Sequence, residues 1–179
     1  MRKLTLEELD QSRPSLENVQ THPFPVSVVL DNIRSLWNVG SIFRTSEGAR
    51  VTKLYLCGIT PRPPRSEIAK TALGAEDLIP WVGLSETSPA IQDLKREGNQ
   101  IVILEQTDKS IDYRAFHPRF PLALVLGHER IGVSDDVISL ADFSIEIPMF
   151  GLKHNLNVAV AYGIAVYQLL RQYQLQARK

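Results

Sequence analysis

The sequence predicts an α/β domain with a mostly parallel sheet flanked by helices. Three observations carry that prediction. Strand-like and helix-like segments alternate along the chain. Several strand segments, such as Val26–Leu30 and Leu122–Leu126, are unbroken apolar runs, which suits strands covered on both faces. Polar segments carrying asparagine or glycine follow the strand ends, where open α/β sheets bind their ligands.

Residues 1–25 read as a peripheral extension and residues 26–176 as one domain. In the extension, Thr5 and Glu8 have capping-box spacing for a short helix, and Pro14, Pro23 and Pro25 break regular structure. Val26–Leu30 is a first strand. Asn38–Arg50 is a helix with Ile42, Phe43 and Ala49 on its apolar stripe. Thr52–Cys57 is a second strand, and the proline-bearing Gly58–Arg65 is a loop. Ser66–Leu73 is a short helix stopped at Gly74. Ser88 and Pro89 start a helix that Gly98 ends. Gln100–Gln106 and Leu122–Leu126 are strands. Ser134 opens a short helix with Asp135 and Asp136 in its first turn. Phe143–Ile147 is the last strand and Asn155–Gln174 a long closing helix. That helix is apolar on nearly every side, so it must be buried in the core or against another chain.

Composition sets the outer bounds. A chain of 179 residues can bury a core without a disulfide or metal staple. The single cysteine, Cys57, cannot form an internal disulfide, which fits the cytoplasm, and reads as a small buried strand residue. The first residues lack the apolar region of a signal peptide. The longest apolar run, Val158–Tyr167, is about half of a transmembrane span, so no membrane association is expected.

Lys plus Arg and Asp plus Glu number 20 each, and the zero net charge argues against a uniformly basic nucleic-acid coat. The charges are nevertheless segregated. Residues 31–70 hold seven cations and three acids, residues 71–150 six cations and thirteen acids, and residues 151–179 four cations and no acid. This is either surface scatter or a basic face that folding assembles from both ends of the chain.

Three strand-end segments carry the candidate chemistry. Leu30–Arg44 (LDNIRSLWNVGSIFR) places Asn32, Asn38 and Gly40 after the first strand and Arg44 inside the following helix. Its plain alternative is a helix cap at Asn38 with Arg44 as a solvated charge. Leu126–Ser134 (LGHERIGVS) brackets Glu129 between Gly127 and Gly132. It has the spacing of neither a dinucleotide fingerprint nor a P-loop, and could be a simple tight turn. Ile147–Ala161 (IPMFGLKHNLNVAVA) leads Asn155 and Asn157 into the closing helix, where Asn155 could be only a cap.

Taken together, the three segments resemble the three motifs of the SpoU/TrmH family of RNA ribose 2′-O-methyltransferases, within the SPOUT superfamily. The order, spacing and strand-end placement match over about residues 26–170, and Lys70–Ala75 (KTALGA) also looks like a family segment. The resemblance implies a homodimeric α/β fold whose C-terminal part is threaded into a deep trefoil knot. It implies S-adenosylmethionine as cofactor, held by Leu126, Gly127, Glu129, Ile147, Met149, Leu156 and Asn157, with no metal. Arg44, Asn38, Glu129, Asn155 and Asn157 are the implied catalytic set.

The implied partner is RNA, with tRNA favoured over rRNA because only about 25 residues precede the domain. Asn32, Arg34, Arg44, Arg62, Arg65 and Lys70, from the first basic segment, are the candidate RNA contacts. The family assigns base chemistry to Arg44, although guanidinium stays protonated and His154 or His128 titrates closer to neutrality. The third motif usually reads Ser-Leu-Asn, and here it reads Asn155-Leu156-Asn157. That departure leaves a catalytically weak or inactive RNA- and cofactor-binding dimer as the alternative.

Overall fold

In the computed structural model, which describes residues 1–14 and 24–177, seven strands form one sheet in which every pairing is parallel. In chain order the elements are α1 (Leu6–Gln11), β1 (Phe24–Asp31), α2 (Leu36–Ala49), β2 (Val51–Cys57), α3 (Ser66–Ala72), α4 (Ala75–Leu78) and β3 (Trp81–Leu84). They continue with α5 (Thr87–Arg96), β4 (Gln100–Leu104), β5 (Ile111–Asp112), β6 (Leu122–Leu126), α6 (Asp135–Leu140), β7 (Phe143–Glu146) and α7 (Val158–Gln176). The strand order is β3-β2-β1-β6-β4-β7-β5. The order reverses direction between β1 and β6, which opens a crevice beyond their carboxyl ends. The predicted break at Pro23 lies outside the described residues, whereas Pro25 stands inside β1, where the pairing with β2 is irregular between Phe24 and Ser27.

The unbroken apolar strands are explained by helices on both sheet faces. On one face Val28, Leu30, Leu56 and Leu124 pack with Ile42 and Phe43 of α2, Ile68 of α3, and Tyr162 and Val166 of α7. On the other, Val29, Cys57, Ile103 and Val125 pack with Ile91 and Leu94 of α5 and Val137 of α6. Burial of each such side chain contributes roughly 1.5–3 kcal/mol. Burial also pushes the Cys57 thiol up to about 12, with the neighbouring Asp31 charge adding to the shift, so it is an inert packing residue.

A buried carboxylate ties the site end of the sheet together. Asp31, at the end of β1, accepts from Asn32 Nδ2 (2.9 Å), Thr87 Oγ1 (2.5 Å), Ser134 N (2.9 Å) and Ser134 Oγ (2.8 Å). One side chain thereby anchors the starts of α5 and α6 to β1.

Several boundaries differ from the sequence prediction, each for a local reason. Helix α2 starts at Leu36 rather than Asn38, because the Ser35 hydroxyl caps it by accepting from Asn38 N. Helix α7 starts at Val158 rather than Asn155, and Asn157 is its cap: Asn157 Oδ1 accepts from Ala159 N (3.0 Å) and Val160 N (3.3 Å). Asn155 is therefore outside the helix and does not cap it. Helix α5 starts at Thr87, one residue before Ser88, whose hydroxyl bonds Asp136 instead. The capping box of α1 forms as expected, with Thr5 and Glu8 bonding each other's backbone N–H.

Three elements have no clear sequence signal. Strand β3 is four residues long with Gly83 in its middle, and β5 has two residues. Helix α4 is a single turn following Leu73 and Gly74, both in left-handed conformation. Among the described residues, no helix is long and apolar enough to cross a membrane.

Candidate active-site cleft

A cleft of about 610 Å³ lies beyond the carboxyl ends of β4, β6 and β7. Its size is in the range of small-molecule sites. Leu126, Gly127, Glu129, Ile147, Met149, Leu156 and Asn157 all line it, as does Asn155. The apolar members lie in or beside the strand ends, while asparagine, glutamate and backbone groups supply the polar lining.

Loop 127–133 is shaped by two glycines. A β-carbon on Gly127 would collide with the backbone of Gly132 and Val133, which fold directly over it. Gly132 has φ +74°, and a side chain there would strike the Glu105 carboxylate. His128 N donates to Gly132 O (3.0 Å) and Gly132 N donates to His128 O (2.9 Å), closing the turn. The closed turn projects Glu129 toward β1.

Glu129 joins the second strand-end segment to the first. Its carboxylate accepts from Arg34 N, Ser35 N and Asn38 Nδ2, each at 2.9 Å. Partial burial pushes this carboxyl up, but the three hydrogen bonds outweigh burial and hold it below the usual range. Asn38 joins the third segment, because its Oδ1 accepts from Asn157 Nδ2 at 3.0 Å. Asn157 Oδ1 in turn takes the first N–H groups of α7.

The polarity of this chain is forced at both ends. Helix N–H groups can only donate and a carboxylate can only accept, so both amides must point their nitrogens toward Glu129. The positive end of α7 is thereby relayed to an ionised carboxylate through two asparagines.

Arg34, Arg44, Arg62, Arg65 and Lys70 are exposed. Arg44 sits on α2 but does not line the cleft. Arg62 lies across Gly83 of β3 and donates to Leu84 O at 2.8 Å. Arg65 precedes α3, and the Lys70 ammonium lies 5.9 Å from the Trp37 ring centre. Asn32 is in left-handed conformation (φ 59°); its Oδ1 accepts from Ile59 N and its Nδ2 donates to Asp31, so its amide shapes the turn after β1. Of the histidines, His154 lines the cleft, and His128 Nδ1 accepts from Arg130 N at 3.0 Å. That bond puts the proton of a neutral His128 on Nε2.

The end of β4 carries no glycine or asparagine motif in the sequence, yet it too reaches the cleft. Leu104, Glu105 and Gln106 line the cleft. Glu105 accepts from Val133 N (3.0 Å) and Gln106 N (2.8 Å), bracing loop 127–133, while Gln106 Nε2 donates to His154 O (2.6 Å) and holds the segment before α7. Among the described residues, no group of three or more His, Cys, Asp or Glu is arranged to hold a metal ion.

Comparison with known proteins agrees with this arrangement. A model of the SpoU rRNA Methylase family matches residues 25–167. The tRNA (guanosine(18)-2'-O)-methyltransferase of Aquifex aeolicus (strain VF5) is 32% identical over 176 residues, which cover 96% of this chain and 80% of that protein. The protein of the same name from Escherichia coli (strain K12) is 28% identical over 149 residues, 83% of this chain and 64% of that protein. The chain thus spans slightly less than two thirds of that relative's length.

Among solved structures, the A. aeolicus TrmH/SpoU tRNA modifying enzyme aligns with a TM-score of 0.79 at 26% identity, over 90% of this chain and 84% of that one. The AdoMet-bound rRNA methyltransferase from Sinorhizobium meliloti aligns with a TM-score of 0.78 at 29% identity, over 86% of this chain and 59% of that one. By the family match over residues 25–167 and the 32% identity to the A. aeolicus protein over 96% of this chain, this chain belongs to the SpoU rRNA methylase family.

Proposed function

We propose that the protein transfers a methyl group from S-adenosylmethionine to a ribose 2′-hydroxyl of tRNA or rRNA. The observation that carries this reading is the hydrogen-bond chain Glu129–Asn38–Asn157, which closes three distant segments around one strand-end cleft. The names of the A. aeolicus and S. meliloti proteins support the reaction class and the cofactor.

The cleft suits that cofactor. Leu126, Ile147, Met149 and Leu156 offer apolar surface for a heterocycle and a thioether-like centre. Gly127 lets backbone approach closely, and Asn155 and Glu105 offer polar edges. When bound, the sulfonium supplies an activated methyl carbon with a good leaving group. The chain must align the ribose hydroxyl and assist loss of its proton. Glu129, Asn38 and Asn157 act as positioning residues, since their polar groups are occupied by one another and by backbone N–H. Arg44 is the candidate for assisting that proton loss, and its guanidinium fork also suits a phosphate contact that steadies developing negative charge. With its Nδ1 accepting from Arg130 N, His128 is poorly set to take a proton, which leaves His154 as the histidine alternative to Arg44.

The same reading includes a homodimer, a trefoil knot in the C-terminal part, and a cytoplasmic location with tRNA as the favoured substrate. The dimer is supported by an exposed apolar row on α7: Val160, Ile164 and Tyr167 are 53%, 36% and 51% exposed, at helical spacing on one face. The knot rests on the family resemblance, and loop 127–132 and segment 147–157 lining one cleft are compatible with it.

Transfer of labelled methyl groups to bulk tRNA and rRNA, followed by digestion, tests the reaction. Recovery of 2′-O-methyl nucleotides is expected, whereas cofactor and RNA binding without turnover would favour the binding-only alternative raised by Asn155. Loss of activity in Arg44→Ala with retention in His154→Ala is expected, and the reverse would move the base to His154.

A further inference from the structure

We propose that Trp37 is a stacking platform for an unpaired RNA base next to the methylated nucleotide, with Lys70 as its phosphate contact. This rests on the RNA-methyltransferase reading and deepens it.

Trp37 lies in the first turn of α2 and is 50% exposed, although a tryptophan of purely structural use gains most by burial. The other tryptophan, Trp81, packs against the core. The backbone beneath Trp37 is held rigidly: its carbonyl accepts from Ser41 Oγ at 2.9 Å and from Thr71 Oγ1 at 3.1 Å. Thr71 belongs to α3, which can lie this close because Gly40 of α2 has no side chain. The same packing sets the Lys70 ammonium 5.9 Å from the Trp37 ring centre, within cation–π range.

The position of the ring matters for function. The next residue, Asn38, bonds Glu129 and Asn157, both of which line the cleft, so the Trp37 backbone lies one residue from the cleft wall. Arg44 is seven residues on, two turns along the same helix face and about 10 Å away along the axis. Arg34 stands just before the helix, also exposed. Among the described residues, none of Arg34, Arg44 and Lys70 is in an ion pair. An exposed aromatic plane among unpaired cations is the surface that single-stranded RNA requires: bases stack on the ring and phosphates meet the charges. A cation over the ring, Lys70, suits a polyanionic ligand better than an apolar partner surface.

The test uses the full chain in a Trp81→Phe background, so that Trp37 is the only indole. Its fluorescence is followed during titration with bulk tRNA and with single-stranded hexaadenylate. Quenching that saturates with RNA is expected. Trp37→Ala should weaken tRNA affinity about ten-fold, and Trp37→Leu, which keeps apolar volume without a ring, should weaken it similarly. Trp37→Phe should retain most of the affinity, with calorimetric S-adenosylmethionine affinity unchanged in all three. Lys70→Gln should reduce the salt slope of binding by about one. Unaltered fluorescence at saturating RNA, or Trp37→Leu binding within two-fold of the parent, would overturn the proposal. A parent protein that binds no RNA would instead overturn the underlying reading.

Discussion

The Asn157 side-chain amide donates to the Asn38 side-chain oxygen at 3.0 Å, joining residues 119 positions apart in the sequence. Asn157 uses its other end to cap α7, so one residue starts the closing helix and fastens it to the first strand-end segment. These two duties can be separated. Asp caps helices as well as Asn does but has no N–H to donate. Asn157→Asp should therefore keep its melting temperature near that of the parent yet lose most methyl transfer. Asn157→Ala should lose the cap as well, at a cost of about 1 kcal/mol. Thermal unfolding set beside methyl-transfer assays distinguishes the two.

Glu129 gives a pH signature. Its carboxyl is held below its ordinary value of 4.5 in the folded state, so the stability it contributes is present above that value and is lost as pH falls through the lower folded value. Glu129→Gln removes that contribution and turns an amide N–H toward backbone donors. The stability gap between parent and variant should be full at neutral pH and narrow below about pH 4. Denaturant midpoints measured from pH 7 to pH 3 check this; a gap that does not change with pH would contradict it.

Gly127→Ala places a methyl group against the backbone of Gly132 and Val133. Neither can move without opening the turn that carries Glu129. A loss of about 1–3 kcal/mol is expected, together with loss of cofactor binding by calorimetry. Gly151→Ala, where a β-carbon meets nothing within 4 Å, is the matched control and should leave stability unchanged.

Tyr162 is fully buried and shares a hydrogen bond of 2.7 Å with Ser46, which fastens α7 to α2. Burial pushes the phenol well above its ordinary range, and the Ser46 bond only partly offsets this, so the ring stays neutral. Tyr162→Phe leaves the Ser46 hydroxyl buried without its partner, and about 1–3 kcal/mol should be lost. Adding Ser46→Ala should recover part of that loss. A double-mutant cycle by denaturant unfolding measures the coupling.

The exposed row Val160, Ile164 and Tyr167 predicts association through α7. Ile164→Asp would bury a charge in such an interface and should give a monomer in analytical ultracentrifugation, with the parent a dimer. A parent that sediments as a monomer at micromolar concentration would contradict the homodimer.

What the sequence determined by itself was local. Alternating elements, doubly covered strands and three strand-end segments are legible because they depend on neighbours within a few residues, and the second and third of those segments contain fifteen residues that line the cleft. Zero net charge was the least informative feature, since the exposed cations at Arg34, Arg44 and Lys70 are matched by acids elsewhere. Tertiary structure decided which candidate did what. Ser35 rather than Asn38 caps α2, and Asn157 rather than Asn155 caps α7. Several polar residues near each helix start could satisfy its N–H groups equally well. The choice falls to contacts across the sheet: Glu129 claims Asn38, and Asn38 holds Asn157. Those contacts exist only once β1, β6 and α7 have been brought to the same end of the sheet, and no local pattern encodes that meeting.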